Sequence, residues 1–287
     1  VTDRAEAGAA AAEVTGQPVS GVASVGGAVW RAALADGRAV LVKHHPRAGA
    51  AQAEATGLAW LAEPGAVPVP AVHGWREHWL VTDYVPAGRP GVAAAEEFGR
   101  GLAELHAAGA PTVGSPPPGG PARAWIGLAP MRDEPGEHWP AWYAAHRVRP
   151  YLRAAVDQGA LSHAQAGLVE TVCERIDELA GPPEPPARLH GDLWSGNVHW
   201  AADGRAWLID PAAHGGHRET DLAMLALFGC PHLDRVLAAY HEHTPLADGW
   251  QDRVALHQLF PLLVHTVLFG GGYAAQTVAA ARAALRA

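Results

Sequence analysis

Residues 188–200 read RLHGDLWSGNVHW, and this stretch decides the fold. It sets Asp192 five positions before the amide of Asn197, with Gly191 and Gly196 beside them. Buried carboxylates and amides cost free energy unless each finds a partner, so a segment meant only for packing gains nothing from such a set. Downstream, AWLIDPAAHGGHRETDLAML from Ala206 holds a short apolar strand, Trp207 to Ile209, which delivers Asp210 where the chain turns at Pro211. Asp203-Gly204 between the two stretches is a hairpin signal. Two aspartates and an asparagine therefore sit on loops joined by a hairpin.

Phosphoryl transfer from ATP asks for such a group: a carboxylate to take the acceptor hydroxyl's proton, and oxygen ligands from an amide and a second carboxylate for Mg²⁺. The Asp-x4-Asn spacing is that of the protein kinase catalytic loop. On this reading Asp192 is the base and Asn197 and Asp210 are the metal ligands, while Gly191 and Gly196 permit the tight turns between them. The donor phosphates also need a cation. Lys43 ends the apolar run AVLVKHH, and Glu54 on the next helical stretch is placed to pair with it. Taken alone, Lys43 suits a solvated strand end and Glu54 an exposed helix position; the chain order Lys, Glu, Asp-Asn, Asp joins them. SVGGAV, with Gly26 and Gly27, is the candidate turn for covering the phosphates with backbone N–H groups, although it lacks the full glycine spacing.

Working outward, the text from Ser20 to His44 alternates short β-type runs with turns at Gly26-Gly27 and Asp36-Gly37, which predicts antiparallel strands. AAQAEATGLAWLAE is helical in period and PGAVPVP stops it. VHGWREHWLVTDYV reads as a further hairpin, and PAGRPG after it as a hinge. That hinge divides the chain into an N-terminal nucleotide-binding lobe, 1–86, and a C-terminal catalytic and acceptor-binding lobe, 87–287. Residues 94–108 carry Phe98, Leu102 and Leu105 on one helical face. The Pro- and Gly-rich stretch from Pro111 to Pro135 reads as an exposed loop, and WPAWYAAHRVRPYLRAAV and SHAQAGLVETVCERIDELA as helices. The expected class is α+β: a small antiparallel sheet with a helix, then a larger, mainly helical lobe.

The 287 residues, 49% of them hydrophobic, suffice for one large domain or two modest ones. With 21 basic against 29 acidic side chains and a net charge of −8, a nucleic-acid surface is not expected. Cys173 and Cys230 are too few for a disulfide framework, and no charged-then-apolar leader opens the sequence, so the cytoplasm is the expected compartment. LFPLLVHTVLFGGGYAA from Leu259 is broken by Pro261, His265 and three glycines and reads as a buried helix rather than a membrane span.

Other polar residues carry blander readings. Trp194, inside the central loop, is assigned to the acceptor side or to loop shape, against plain packing. His190 is read as a hydrogen-bonding brace, Asp221 as a helix cap or loop brace, and Gly215 and Gly216 as turn residues. His214, His217, His241 and His243 lack accompanying cysteines and are read as scattered surface histidines rather than a zinc site.

HGDLWSGN, IDPA, GHRETDLAMLALFG, HWPAWYAAHRVRPYL and YHEHTPLADGWQDRVALHQLFPLLVH together resemble the fructosamine kinase (ketosamine-3-kinase) family, a branch of the aminoglycoside-phosphotransferase-like group with a protein-kinase-like, two-lobed fold. The likeness runs from about Gly21 onward, and Trp194, Ser195 and the GHRE segment narrow it to this branch. It implies ATP- and Mg²⁺-dependent phosphorylation of the sugar 3-hydroxyl of ketoamines, free or on glycated proteins, in a deglycation role. By position it makes Asp192 the catalytic aspartate, Asn197 and Asp210 the metal ligands, Lys43 the phosphate-binding lysine and Glu54 its partner. It also places backbone groups of Asp83, Tyr84 and Val85 against the adenine edge. The short glycine turn lacks the cysteine some members carry, which leaves no ground for a redox switch there. The alternatives are a related kinase for an aminoglycoside, choline or a similar alcohol, a nucleotide-binding regulator without turnover, and a histidine-based metallohydrolase.

Overall fold

The computed structural model describes residues 4–287. The first lobe comprises α1 (Arg4–Thr15), β1 (Val19–Gly26), β2 (Val29–Leu34), β3 (Ala39–His44), α2 (Ala50–Ala62), β4 (Val72–Arg76) and β5 (Trp79–Asp83). Its five strands form one antiparallel sheet in the order β1-β2-β3-β5-β4. Asp36-Gly37 makes the β2–β3 turn, with Gly37 at φ 88°, a left-handed conformation glycine adopts without a side-chain clash. Strand alternation sorts β3: Val40 and Val42 join Trp30, Ala32 and Val81 in the core under α1. Leu41 and Lys43 point to the opposite face, where α2 packs. The helix α1 was not foreseen from the sequence. Its buried face is Ala7, Ala10 and Ala11, small side chains that carry almost no amphipathic signal but let the helix lie close on the sheet.

The second lobe continues with α3 (Val92–Ala107), β6 (Arg123–Ile126) and β7 (Ala129–Arg132). Then come α4 (Trp139–Trp142), which runs through a π-helical turn at Tyr143–Val148 into α5 (Arg149–Asp157), α6 (His163–Glu174) and α7 (Ile176–Leu179). The site strands are β8 (Ala187–Leu189), β9 (Val198–Trp200), β10 (Ala206–Leu208) and β11 (His214–Gly216). Helices α8 (Glu219–Phe228), α9 (Leu233–His243), α10 (Trp250–His257), α11 (Leu259–Phe269) and α12 (Gly272–Ala284) complete it. Phe98, Leu102 and Leu105 of α3 are buried with Leu193, Val198, Leu208, Leu222 and Tyr240, so one core supports the site loops from below. Among the described residues no helix is long and apolar enough to cross a membrane.

Two expectations are corrected. The stretch from Pro111 to Pro135 is not simply an exposed loop. It contains the β6–β7 hairpin, and Val113, Ser115, Ala124, Ile126, Met131 and Asp133 are buried. The hairpin packs against α2 of the first lobe and α11 of the second, which its Pro/Gly-rich flanks concealed. His214 and His217 are buried rather than scattered on the surface, whereas His241 and His243 are exposed.

Candidate active site

Two short ladders build the site. β8 pairs with β11, setting Leu189 opposite His214, and β9 pairs with β10, setting Val198 opposite Leu208. The loop 190–197 and the loop 209–213 are each clamped at both ends by these pairings, so they must face each other. Backbone bonds sew the loops together: Ala212 N donates to the His190 carbonyl (3.0 Å) and Ile209 N to the Asn197 carbonyl (3.1 Å). Such close loops require glycine. A Cβ on Gly191, at φ 82°, would lie 2.1 Å from the Ala212 oxygen, and one on Gly196 would enter the Trp194 ring at 2.3 Å.

Asp221 holds this arrangement from behind. Its carboxylate, 1% exposed, accepts hydrogen bonds from His190 N (2.7 Å), Gly191 N (3.0 Å) and His106 Nε2 (3.2 Å). Burial pushes the carboxyl pKa up, but these donors and the neighbouring histidines outweigh it and hold Asp221 below its ordinary value. His190, fully buried, accepts from Asp192 N at Nδ1 (3.3 Å), so its Nε2 carries the proton and donates to the Ile209 carbonyl (2.9 Å). Both residues therefore brace the loop rather than react. Asp221 lies in the first turn of α8, but its side chain serves the neighbouring loop.

The reactive groups converge on one cleft. Asn197 donates through Nδ2 to the Asp192 carbonyl (2.7 Å), the Asp192 carboxylate (3.2 Å) and the Asp210 carbonyl (3.4 Å). Its Oδ1 has no protein partner among the described residues and is left for another ligand. Asp210 sits at φ 54°, a left-handed conformation that aspartate tolerates better than branched residues. Its Oδ1 lies 2.9 Å from Lys43 Nζ, and Lys43 also meets Glu54 Oε2 at 2.7 Å. Burial opposes the Lys43 ammonium, yet the carboxylates of Glu54 and Asp210 more than offset it and raise its pKa. Asp192 is pushed up to about 7, chiefly by burial, with the Asn197 amide pulling the other way and the negative charge of Asp210 adding to the rise.

Lys43, Glu54, Asp192, Trp194, Asn197 and Asp210 all line a cavity of 530 Å³ between the lobes. Ala28 and Val29 line it as well, while Gly26 and Gly27 form the turn just before them without reaching its wall. Asp83 ends β5, Tyr84 and Val85 follow it at the hinge, and all three lie outside that wall. There Tyr84 N donates to the Ala39 carbonyl (3.4 Å), and the Val85 carbonyl is 3.1 Å from His199 Nε2. The cavity is also lined by residues that sequence reasoning missed: Trp125 and Leu128 on the β6–β7 hairpin, and His265 and Phe269 on α11. An apolar period marks α11 as buried but gives no sign that one end opens on a cleft.

Asn197 Oδ1 and the Asp210 carboxylate, which also meets Lys43, are hard oxygen donors placed beside Asp192, the kind of ligand that Mg²⁺ takes. The histidines offer no comparable centre. His217, Glu219 and His257 have ligand atoms within 4.8 Å of one another, but both Glu219 oxygens are held by Arg253, at 2.9 and 2.6 Å, so a guanidinium already supplies the positive charge.

Comparison with known proteins agrees with this geometry. The fructosamine kinase family pattern matches residues 7–287. A "probable ketoamine kinase" of Thermus thermophilus is 36% identical over 247 residues, covering 85% of this chain and 85% of its own. The chloroplastic protein-ribulosamine 3-kinase of Arabidopsis thaliana is 30% identical over 270 residues, covering 89% of this chain and 79% of its own. Among solved structures, a candidate fructosamine-3-kinase of Thermobifida fusca superposes with a TM-score of 0.92 at 50% identity, covering 98% of each chain. The two-lobed, protein-kinase-like fold extends to small-molecule kinases of much lower identity. The chain belongs to the fructosamine kinase family.

Proposed function

We propose that this ATP-dependent phosphotransferase acts on ketoamines, the adducts left when a sugar glycates an amine, and phosphorylates their 3-hydroxyl in a deglycation role. The observation that carries the reading is the convergence of Asp192, Asn197, Asp210 and Lys43 on one cleft, with the WSGN form of the loop beside the base. Asp192 orients the acceptor hydroxyl and takes its proton as that oxygen bonds to the γ-phosphorus and the bond to the ADP oxygen breaks. The transition state is loose, so positioning and fixed charge supply most of the acceleration. Lys43, held by Glu54, meets charge on the α- and β-phosphates, and the hinge at Asp83–Val85 offers backbone groups to the adenine edge. Asn197 Oδ1 and Asp210 would hold Mg²⁺, which when bound neutralises charge on the transferring phosphoryl group. Glycated small molecules or proteins are the proposed partners, and the cytoplasm the compartment.

The test is Asp192→Asn with fructose-lysine and ribulose-lysine as acceptors. ATP binding by calorimetry stays near that of the wild type, and ADP release falls to background. Near-normal phosphorylation by the variant would show that Asp192 is not the base.

A further inference from the structure

One side of the cavity is backed by a chain of rings. Trp194 meets Phe228 edge-on, with centroids 6.2 Å apart, and Phe228 lies 4.7 Å from the ring of His265. His265 in turn lies 5.5 Å from Phe269 and 5.0 Å from Tyr273. Trp194, His265 and Phe269 line the cleft that holds Asp192, yet Trp194 is 38% and Phe269 66% exposed. Aromatic rings left in water beside a catalytic carboxylate are costly unless a ligand covers them.

His265 gives the wall a polarity. Its Nδ1 donates to the Pro261 carbonyl at 2.7 Å, one turn back on α11, so the neutral ring carries its proton there. Nε2 then presents a bare lone pair and has no partner among the described residues. Burial lowers the ring's pKa, against the pull of the Pro261 carbonyl, which keeps the lone pair available at neutral pH. A neutral acceptor nitrogen set among π-faces attracts an N–H donor that bears positive charge, since ring faces are the negative pole of the aromatic quadrupole.

We propose that His265, Phe269 and Trp194 form the subsite for the protonated secondary amine of the ketoamine, with an ammonium N–H given to His265 Nε2 and the cation lying against the rings. This rests on the ketoamine reading above. In such an acceptor the amine and the 3-oxygen are separated by three carbons, so the charge falls beside the base, where the residue two positions after Asp192 already supplies Trp194. The subsite selects glycated amines over neutral sugars of the same shape.

The experiment compares an N-alkyl fructosamine with the neutral 1-O-alkyl fructose of equal chain length, read by ADP release. Wild type, His265→Phe and Phe269→Leu are used; the second changes a largely exposed ring and keeps an apolar side chain against His265 and Tyr273. The wild type prefers the amine by about 10-fold or more in kcat/KM, and each variant lowers that preference by about 3- to 10-fold while KM for ATP stays unchanged. Equal kcat/KM for the two acceptors in the wild type, or a preference that neither variant moves, overturns the subsite and leaves the ketoamine reading standing. ADP release with choline or an aminoglycoside but with neither fructose derivative overturns the ketoamine reading itself, and the subsite with it.

Discussion

Asp221→Asn is the sharpest test of how the site is built. The wild-type carboxylate accepts three hydrogen bonds and donates none, from His190 N, Gly191 N and His106 Nε2. His190 N and His106 Nε2 share Oδ2 and Gly191 N takes Oδ1, so an isosteric amide with its oxygen in the place of Oδ2 keeps the first two bonds and turns its NH₂ towards Gly191 N. One buried donor is then left unpaired, at a cost of about 1–3 kcal/mol. At roughly 2–4 °C per kcal/mol for a chain of this size class, Tm falls by about 2–12 °C. Because the same bonds hold the backbone on either side of Gly191, Asp192 is displaced as well, and a displacement of about 1 Å costs on the order of 100-fold in kcat. Thermal melting by circular dichroism reads the first effect and ADP release at saturating ATP the second. Glu242→Ala, on the exposed face of α9, serves as control and is expected to shift stability by only about 0.5 kcal/mol. A variant within about 2 °C of the wild-type Tm and about twofold of its kcat would refute the idea that Asp221 organises the loop.

Lys43→Met removes the cation between Glu54 and Asp210, and calorimetry is expected to show ATP binding weakened by about 10- to 100-fold while the acceptor KM stays within about twofold. In nucleotide-free protein the Asp192 carboxyl, raised by burial, titrates near pH 7, as ¹³C NMR of labelled aspartate will show; added Mg²⁺ and ATP move that titration to lower pH. Glu219 behaves in the opposite sense. Burial raises its pKa, but the His257 ring, 3.3 Å away, and the hydrogen bonds from Arg253 hold it down to about 2. Its folded pKa lies below the unfolded value of about 4.3, so its stabilising contribution is complete above that pH and is lost as pH falls towards 2. Urea denaturation across that window is therefore steeper with pH in the wild type than in Glu219→Gln.

Much of this protein is legible in its text because the deciding patterns are local. Asp36-Gly37 and Asp203-Gly204 set hairpin turns wherever they stand between apolar runs, the period of Phe98, Leu102 and Leu105 requires a helix, and proline stops α2. That Asp192, Asn197, Asp210, Lys43 and Glu54 belong together follows from residue type and order, since oxygen donors and one ammonium are what phosphoryl transfer uses, and the fold brings all five to one cleft. Tertiary structure alone decided what depends on neighbours distant in sequence. The strands β8 and β11 are three residues each, too short to show a period, yet their pairing forces the two site loops together. Asp221 reads from sequence as either a helix cap or a loop brace, and the approach of Gly191 from 30 residues away decides for the brace. His265 and Phe269 read as ordinary residues of a buried helix, and Trp125 as part of a loop, until packing opens one end of α11 and the β6–β7 hairpin onto the same cleft. Turn chemistry and periodicity act over a few residues, whereas which faces meet is settled by burial summed over the whole chain.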